Sequence, residues 1–276
     1  MNVVNAGKKY MASGTNIRKP FFSGSFYPAE KKELSSILED FFGKTKEIKN
    51  LKKIKALIVP HAGYVYSGQT AAWGYRQLSV NEKNYHYILV GPSHQSYFAG
   101  LVNSPDSLWE TPLGEVNCRQ IKKPDKEITI NEKPHLNEHC LEVQLPFLQY
   151  INSNNKQLNI SSFLTGSQVD AKKSTDYFLE NYPDSFYIFS SDLSHYLPKG
   201  EARSKDKKTI EAVLKGDNRY FETEENTACG MTGILILLEM AKRLKWQGIL
   251  LNYDTSATFS GDTSGVVGYA AIGFYG

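Results

Sequence analysis

The sequence predicts an α/β fold of three layers, a central mixed or mainly parallel sheet with helices on both faces, and two patterns predict it. Six apolar runs have strand length and are mostly rich in β-branched or aromatic residues: Ile54 to Val59, Tyr87 to Val90, Ile160 to Leu164, Phe186 to Phe189, Ile249 to Tyr253 and Val266 to Phe274. Segments of helical character alternate with them. Leu34, Ile37, Leu38, Phe41 and Phe42 form one buried stripe in Glu30 to Phe42. Further helices are expected near Gln69 to Leu78, His139 to Tyr150, Ala171 to Asn181, Ala202 to Leu214 and Thr227 to Leu244. Pro146 should kink the third of these or end it early, because proline removes a donor and crowds the preceding turn.

Residues 1–16 have no apolar stretch able to serve as a signal-peptide core and are expected to be a loose tail, leaving 17–276 as a single domain. The lysine-rich stretch Lys44 to Lys55 is too short to separate two folding units. With 276 residues, 41% of them hydrophobic, the chain has material for a sizeable core. Thirty-two basic residues against twenty-nine acidic ones, without a basic block, do not indicate nucleic acid as a partner. No apolar run approaches the roughly 20 residues needed to span a bilayer. Three widely spaced cysteines, Cys118, Cys140 and Cys229, do not form a disulfide framework, so a reducing, cytoplasmic location is expected.

The chemistry is expected at the strand ends, where open α/β sheets hold their ligands. His61 follows the first strand in Pro60-His61-Ala62-Gly63-Tyr64, and His94 the second in Gly91-Pro92-Ser93-His94. The strand Phe186 to Phe189 runs into Ser190-Ser191-Asp192-Leu193-Ser194-His195, so three strand ends can deliver histidines and Asp192 to one crevice. Neutral imidazole is the commonest protein metal ligand. His86, at a strand start, is structural in this reading. Gly63, Gly68 and Gly91 are expected to serve tight turns with positive φ. Neither a phosphate-loop nor a dinucleotide fingerprint is present, and no G-x-S-x-G elbow supports serine hydrolysis.

Two further places offer chemistry. His139 and Glu142 lie three residues apart at the start of an expected helix, where they could ligate metal or orient a ligand; the plainer reading has Asn137 as the cap, Glu138 facing the helix dipole and Glu142 in solvent. Cys229, at the start of the apolar helix Thr227 to Leu244, is placed where a helix N-terminus favours thiolate, the form a metal needs.

These segments resemble the Memo family, which includes the AmmeMemoRadiSam system protein B members. The landmarks are Gly24-Ser25-Phe26-Tyr27-Pro28, Val59-Pro60-His61-Ala62-Gly63-Tyr64, Gly91-Pro92-Ser93-His94, Thr111-Pro112-Leu113-Gly114, Glu138-His139-Cys140-Leu141-Glu142, Ser190-Ser191-Asp192-Leu193-Ser194-His195 and Ala228-Cys229-Gly230. The resemblance runs from Arg18 onward and implies the fold of the class III extradiol, LigB-type dioxygenases. It implies metal ligation by His61, His94 and Cys229, with Asp192 and His195 as catalytic or pocket residues; His139 and Glu142, by their own spacing, are expected in the pocket or behind it. It also implies AMMECR-type and radical-SAM proteins as partners. Two histidines and a thiolate, in place of the dioxygenases' two histidines and a carboxylate, make a softer set suited to iron, copper or zinc. The implied activity is a non-haem metal-dependent oxidoreductase in which His195 moves a proton. The rival is a non-catalytic scaffold that takes a peptide or small molecule in the same pocket, lined by Tyr64, Tyr66, Tyr97, Trp109 and Tyr196, if these are not core. Ring cleavage proper is disfavoured by the missing carboxylate.

Overall fold

The computed structural model describes residues 16–49, 51–78, 86–121, 123–124, 126–153 and 158–276; apart from Asn16, the expected N-terminal tail lies outside them. Four parallel strands form the centre of a mixed sheet, in the order Asn159–Thr165, His86–Pro92, Phe186–Ser190, Ile54–Val59. Val266–Tyr275 continues the sheet antiparallel to Ile54–Val59, and Gln247–Thr255 pairs antiparallel with Val266–Tyr275.

Successive side chains of a strand face opposite ways, and the core divides accordingly. Leu57, Val59, Leu89 and Ile188 pack beneath the helices Lys31–Gly43, Tyr64–Arg76 and Leu145–Ile151. Ala56, Ile58, Ile88, Val90, Tyr187 and Phe189 face Ala171–Asn181, Lys199–Lys215 and Met231–Leu244. The expected three-layer α/β/α arrangement is therefore present, because strands apolar on both faces are stable only between two helical layers.

Several elements differ from the expectation for local reasons. In place of a helix from His139 to Tyr150, a short 3-10 turn at Glu142–Gln144 precedes the helix Leu145–Ile151. Pro146 falls in that helix's first turn, where its missing N–H costs nothing. The last major helix starts at Met231 instead of Thr227, because Cys229 N donates to Asp192 O at 3.2 Å and Gly230 N to Ser191 Oγ at 2.9 Å. Gly63, Gly68 and Gly91 are not among the positive-φ glycines. At Gly91 a side chain is excluded by contact instead, since a Cβ there would lie 2.6 Å from Cys140 Sγ. Among the described residues no helix is long and apolar enough to cross a membrane.

Candidate metal centre

The strands ending in Pro92, Ser190 and Val59 are parallel neighbours, with Val90 opposite Phe189 and Val59 opposite Ser190. Their carboxyl ends therefore release His94, Asp192 and His61 at one edge of the sheet. There the imidazoles of His61, His94 and His139 gather, each offering a ring nitrogen within 4.8 Å of the others. Their ring centres are 5.1 Å apart for His61 and His94, 5.3 Å for His61 and His139, and 4.8 Å for His94 and His139. Cys229 Sγ lies 3.2 Å from His61 Nε2.

The surrounding hydrogen bonds determine which nitrogen each ring presents. Ser190 Oγ directs its single hydrogen at Cys140 O (2.7 Å) and accepts from Gln144 Nε2 (2.9 Å). The 2.8 Å contact from His61 Nδ1 to the same hydroxyl must then be an N–H donor, which leaves Nε2 with its lone pair facing the cysteine. His94 Nδ1 donates to Glu138 Oε1 at 2.9 Å, and His139 Nδ1 lies 3.3 Å from that same oxygen. His195 Nδ1 donates to Leu193 O at 2.8 Å, again leaving Nε2 bare.

Glu138 is the main residue missed from sequence. It is buried, and it also accepts from the His94 backbone N (2.6 Å) and the Cys140 backbone N (3.0 Å). Burial pushes its carboxyl up, but the bonds from His94 and Cys140 outweigh that and hold it at about 2. Burial pulls His94 down, yet the Glu138 bond and charge leave it above its ordinary value. Only its position between Asn137 and His139 marked Glu138, and a helix-dipole role explained that equally well.

Glu142 is not one of the converging donors. Fully buried rather than solvated, it pairs with Arg18 Nη1 and accepts from Phe22 N (2.8 Å) and Tyr27 Oη (2.7 Å). Arg18 in turn donates to the carbonyls of His135 and Glu138 and lies over the Trp109 ring, 4.3 Å from its centre. This network anchors the segment carrying Phe22 and Phe26, whose rings flank His139 at 5.5 and 4.5 Å.

Asp192 is buried, and its Oδ1 accepts from His61 N at 2.8 Å. Burial raises its carboxyl above the usual value against the opposing pull of that bond and of nearby histidines, His195 first among them. Asn226 clasps the His195 peptide at both ends, accepting from His195 N (3.0 Å) and donating to His195 O (2.9 Å). Asn226 and Tyr196 both take positive φ there, 49° and 59°, a backbone region costly for residues with a side chain. Burial drives the Cys229 thiol well above its ordinary range, with the Asp192 charge adding to the effect. The expected thiolate-favouring helix end is absent, because Cys229 precedes the helix and hydrogen-bonds instead to Asp192, in the loop that follows the strand Phe186–Ser190.

The centre makes the protein's stability pH-dependent. Burial first, then neighbouring positive imidazoles, holds His61 at about 3 and His139 at about 4, and burial holds His135 at about 3. An unfolded chain protonates these groups near 6.5, so below that pH it binds more protons than the folded chain. Each group then withdraws stability as the pH falls from about 6.5 towards its folded value, while His94, shifted upward, works in the opposite sense. Urea midpoints of chelator-treated protein should fall steadily from pH 6.5 towards 4; a flat profile would contradict this account.

Fold and site together define an α/β/α protein with a histidine-rich, thiol-bearing pocket at the carboxyl edge of its sheet. The model of the Memo-like protein family matches residues 18–273. A MEMO1 family protein of Nitrosopumilus maritimus is 36% identical over 94% of this chain and 99% of its own, and one from Aquifex aeolicus matches at the same identity and coverage. The chain belongs to the Memo family. In fold it is also similar to an uncharacterized protein, JW3007, of Escherichia coli K12, with a TM-score of 0.50 and 11% identity over 81% of this chain and all of that one.

Proposed function

We propose that the chain is a cytoplasmic metal-binding protein whose His61, His94 and Cys229 hold a redox metal ion, and that it acts as a metal-dependent oxidoreductase. The observation that carries this reading is the bare Nε2 of His61 set 3.2 Å from Cys229 Sγ, with His94 held beside it by Glu138. Oriented nitrogen donors with Nδ1 tied to a hydroxyl or carboxylate are what a metal site requires of its surroundings. A set of two imidazoles and one thiol fits iron, copper or zinc. The bound ion would supply Lewis acidity and, as iron or copper, one-electron chemistry.

The protein's own groups have distinct parts in this reading. Asp192 holds the His61 peptide in place. His195, with a bare Nε2 and its backbone clasped by Asn226, is suited to take and return a proton. The thiol proton of Cys229 leaves when the ion binds. By family resemblance, AMMECR-type and radical-SAM proteins are the proposed partners.

Protein purified anaerobically should contain stoichiometric metal by elemental analysis, and Cys229→Ser should lose most of it. Equal metal in the two would remove Cys229 from the site. A scaffold reading has one observation in its favour: Tyr97 and Tyr196, beside the His94 and His195 loops, are 93% and 80% exposed, whereas Tyr64 and Trp109 are core. Metal-free protein that retained peptide binding would favour the scaffold.

A further inference from the structure

Resting on the reading that His195 moves a proton, we propose that Asp206 is its positioning residue, a buried carboxylate that sets the His195 ring through one intervening peptide group. Asp206 lies on the helix Lys199–Lys215 between Lys205 and Lys207, yet it is fully buried and forms no ion pair among the described residues, Lys205 pairing with Glu224. Its Oδ1 accepts from Ser194 N at 3.0 Å and its Oδ2 from Tyr253 Oη at 2.8 Å. The carbonyl of the same Leu193–Ser194 peptide accepts from His195 Nδ1 at 2.8 Å. One peptide group therefore joins the carboxylate on its N–H side to the imidazole on its C=O side.

A peptide whose N–H is bonded to an anion becomes a stronger acceptor at its oxygen, because hydrogen bonds in series polarise one another. The Asp206 charge thus favours the proton on Nδ1 and leaves Nε2 bare, which is the tautomer a base needs; a directly bonded carboxylate does the same for the histidine of a hydrolase triad. When Nε2 takes a proton, the imidazolium is stabilised by the same route, and no proton travels along the bridge. Burial raises the Asp206 carboxyl, and the bonds from Ser194 and Tyr253 and the positive charge of His195 oppose it. The strand Val266–Tyr275 holds the bridging segment in place: Gly268 O accepts from Leu193 N at 2.8 Å, and Gly268 N donates to Ser194 O at 2.9 Å. Glycine at 268 also admits the carboxylate, since a Cβ there would lie 1.9 Å from Asp206 Oδ2.

Long-range proton–nitrogen NMR of the full chain reads the His195 tautomer directly, with its signals assigned by their loss in His195→Gln. In the parent, at a pH where the ring is neutral, the proton should sit on Nδ1, and the Ser194 amide proton should resonate far downfield, as a bond to a carboxylate requires. Asp206→Asn keeps the shape and an acceptor for Ser194 N but removes the charge, so the ratio of Nδ1–H to Nε2–H forms should fall at least about 3-fold. Asp206→Ala, which loses the bond as well, should lower it at least about 10-fold. A residue that merely held the loop would leave the Asn variant with the parent's ratio, and that result would overturn the role of Asp206 while leaving proton transfer by His195 intact. A parent ring protonated on Nε2 would overturn both. Neither criterion depends on the alanine variant folding.

Discussion

Replacing Glu142 with Ala is expected to cost about 3–5 kcal/mol of stability, because it strands the Arg18 guanidinium in the interior without its counter-charge. Arg18 and Glu142 are both buried, and the carboxylate also receives the Phe22 N–H and the Tyr27 hydroxyl. A change at either residue leaves polar groups on several segments unmatched at once. Joint replacement, Arg18→Met with Glu142→Leu, should cost less than either single change, since it removes both charges and leaves apolar bulk. Urea denaturation of the singles and the double would check this; a double variant weaker than both singles would mean that the network's hydrogen bonds, and not its charges, dominate. The loss should reach the pocket too, because the same network sets the Phe22 and Phe26 rings against His139.

Gly230→Ala is expected to weaken metal binding about as severely as Cys229→Ser while leaving every proposed ligand in the sequence. A Cβ at position 230 would fall 2.6 Å from Ser191 Cβ and 2.7 Å from Ser190 O. That strand end cannot yield, since Ser190 also bears the hydroxyl that orients His61. The 229–230 peptide must move instead, taking the thiol from its place beside His61 Nε2. Overpacking of this kind costs typically about 1–3 kcal/mol. Isothermal titration with zinc would measure the affinity; binding equal to the parent's would show that the loop has slack the contacts do not suggest.

The two predictions draw on features of unequal visibility in sequence. Central strands were legible because continuous apolar runs bounded by proline, glycine or serine have few other uses, and Ile54–Val59 matches the expected run end to end. The short strands Leu101–Asn103, Leu108–Thr111, Gly114–Cys118 and Ile128–Ile130 were not, because pieces of three to five residues at the sheet's margin carry too little periodicity. In the pocket, the strand-end histidines announced themselves by position. The partners that aim them did not. Glu138 reaches His94 across 44 residues, and Gln144 reaches Ser190 across 46, distances over which local pattern is silent. Arg18 and Glu142, 124 residues apart, give no sign of each other in sequence.

The candidate donors hang from two kinds of support. His61 and His94 follow closely on the strands Ile54–Val59 and His86–Pro92, which are paired on both sides and whose amides should be among the slowest in the molecule to exchange with solvent. Cys229 and His139 lie on irregular segments outside helix and strand, held by a few side-chain and backbone bonds. Local opening should therefore release the thiol and one imidazole long before it disturbs the other two. An ion entering or leaving would pass through a half-dismantled site in which the sheet keeps its pair of nitrogens in register while the loops part.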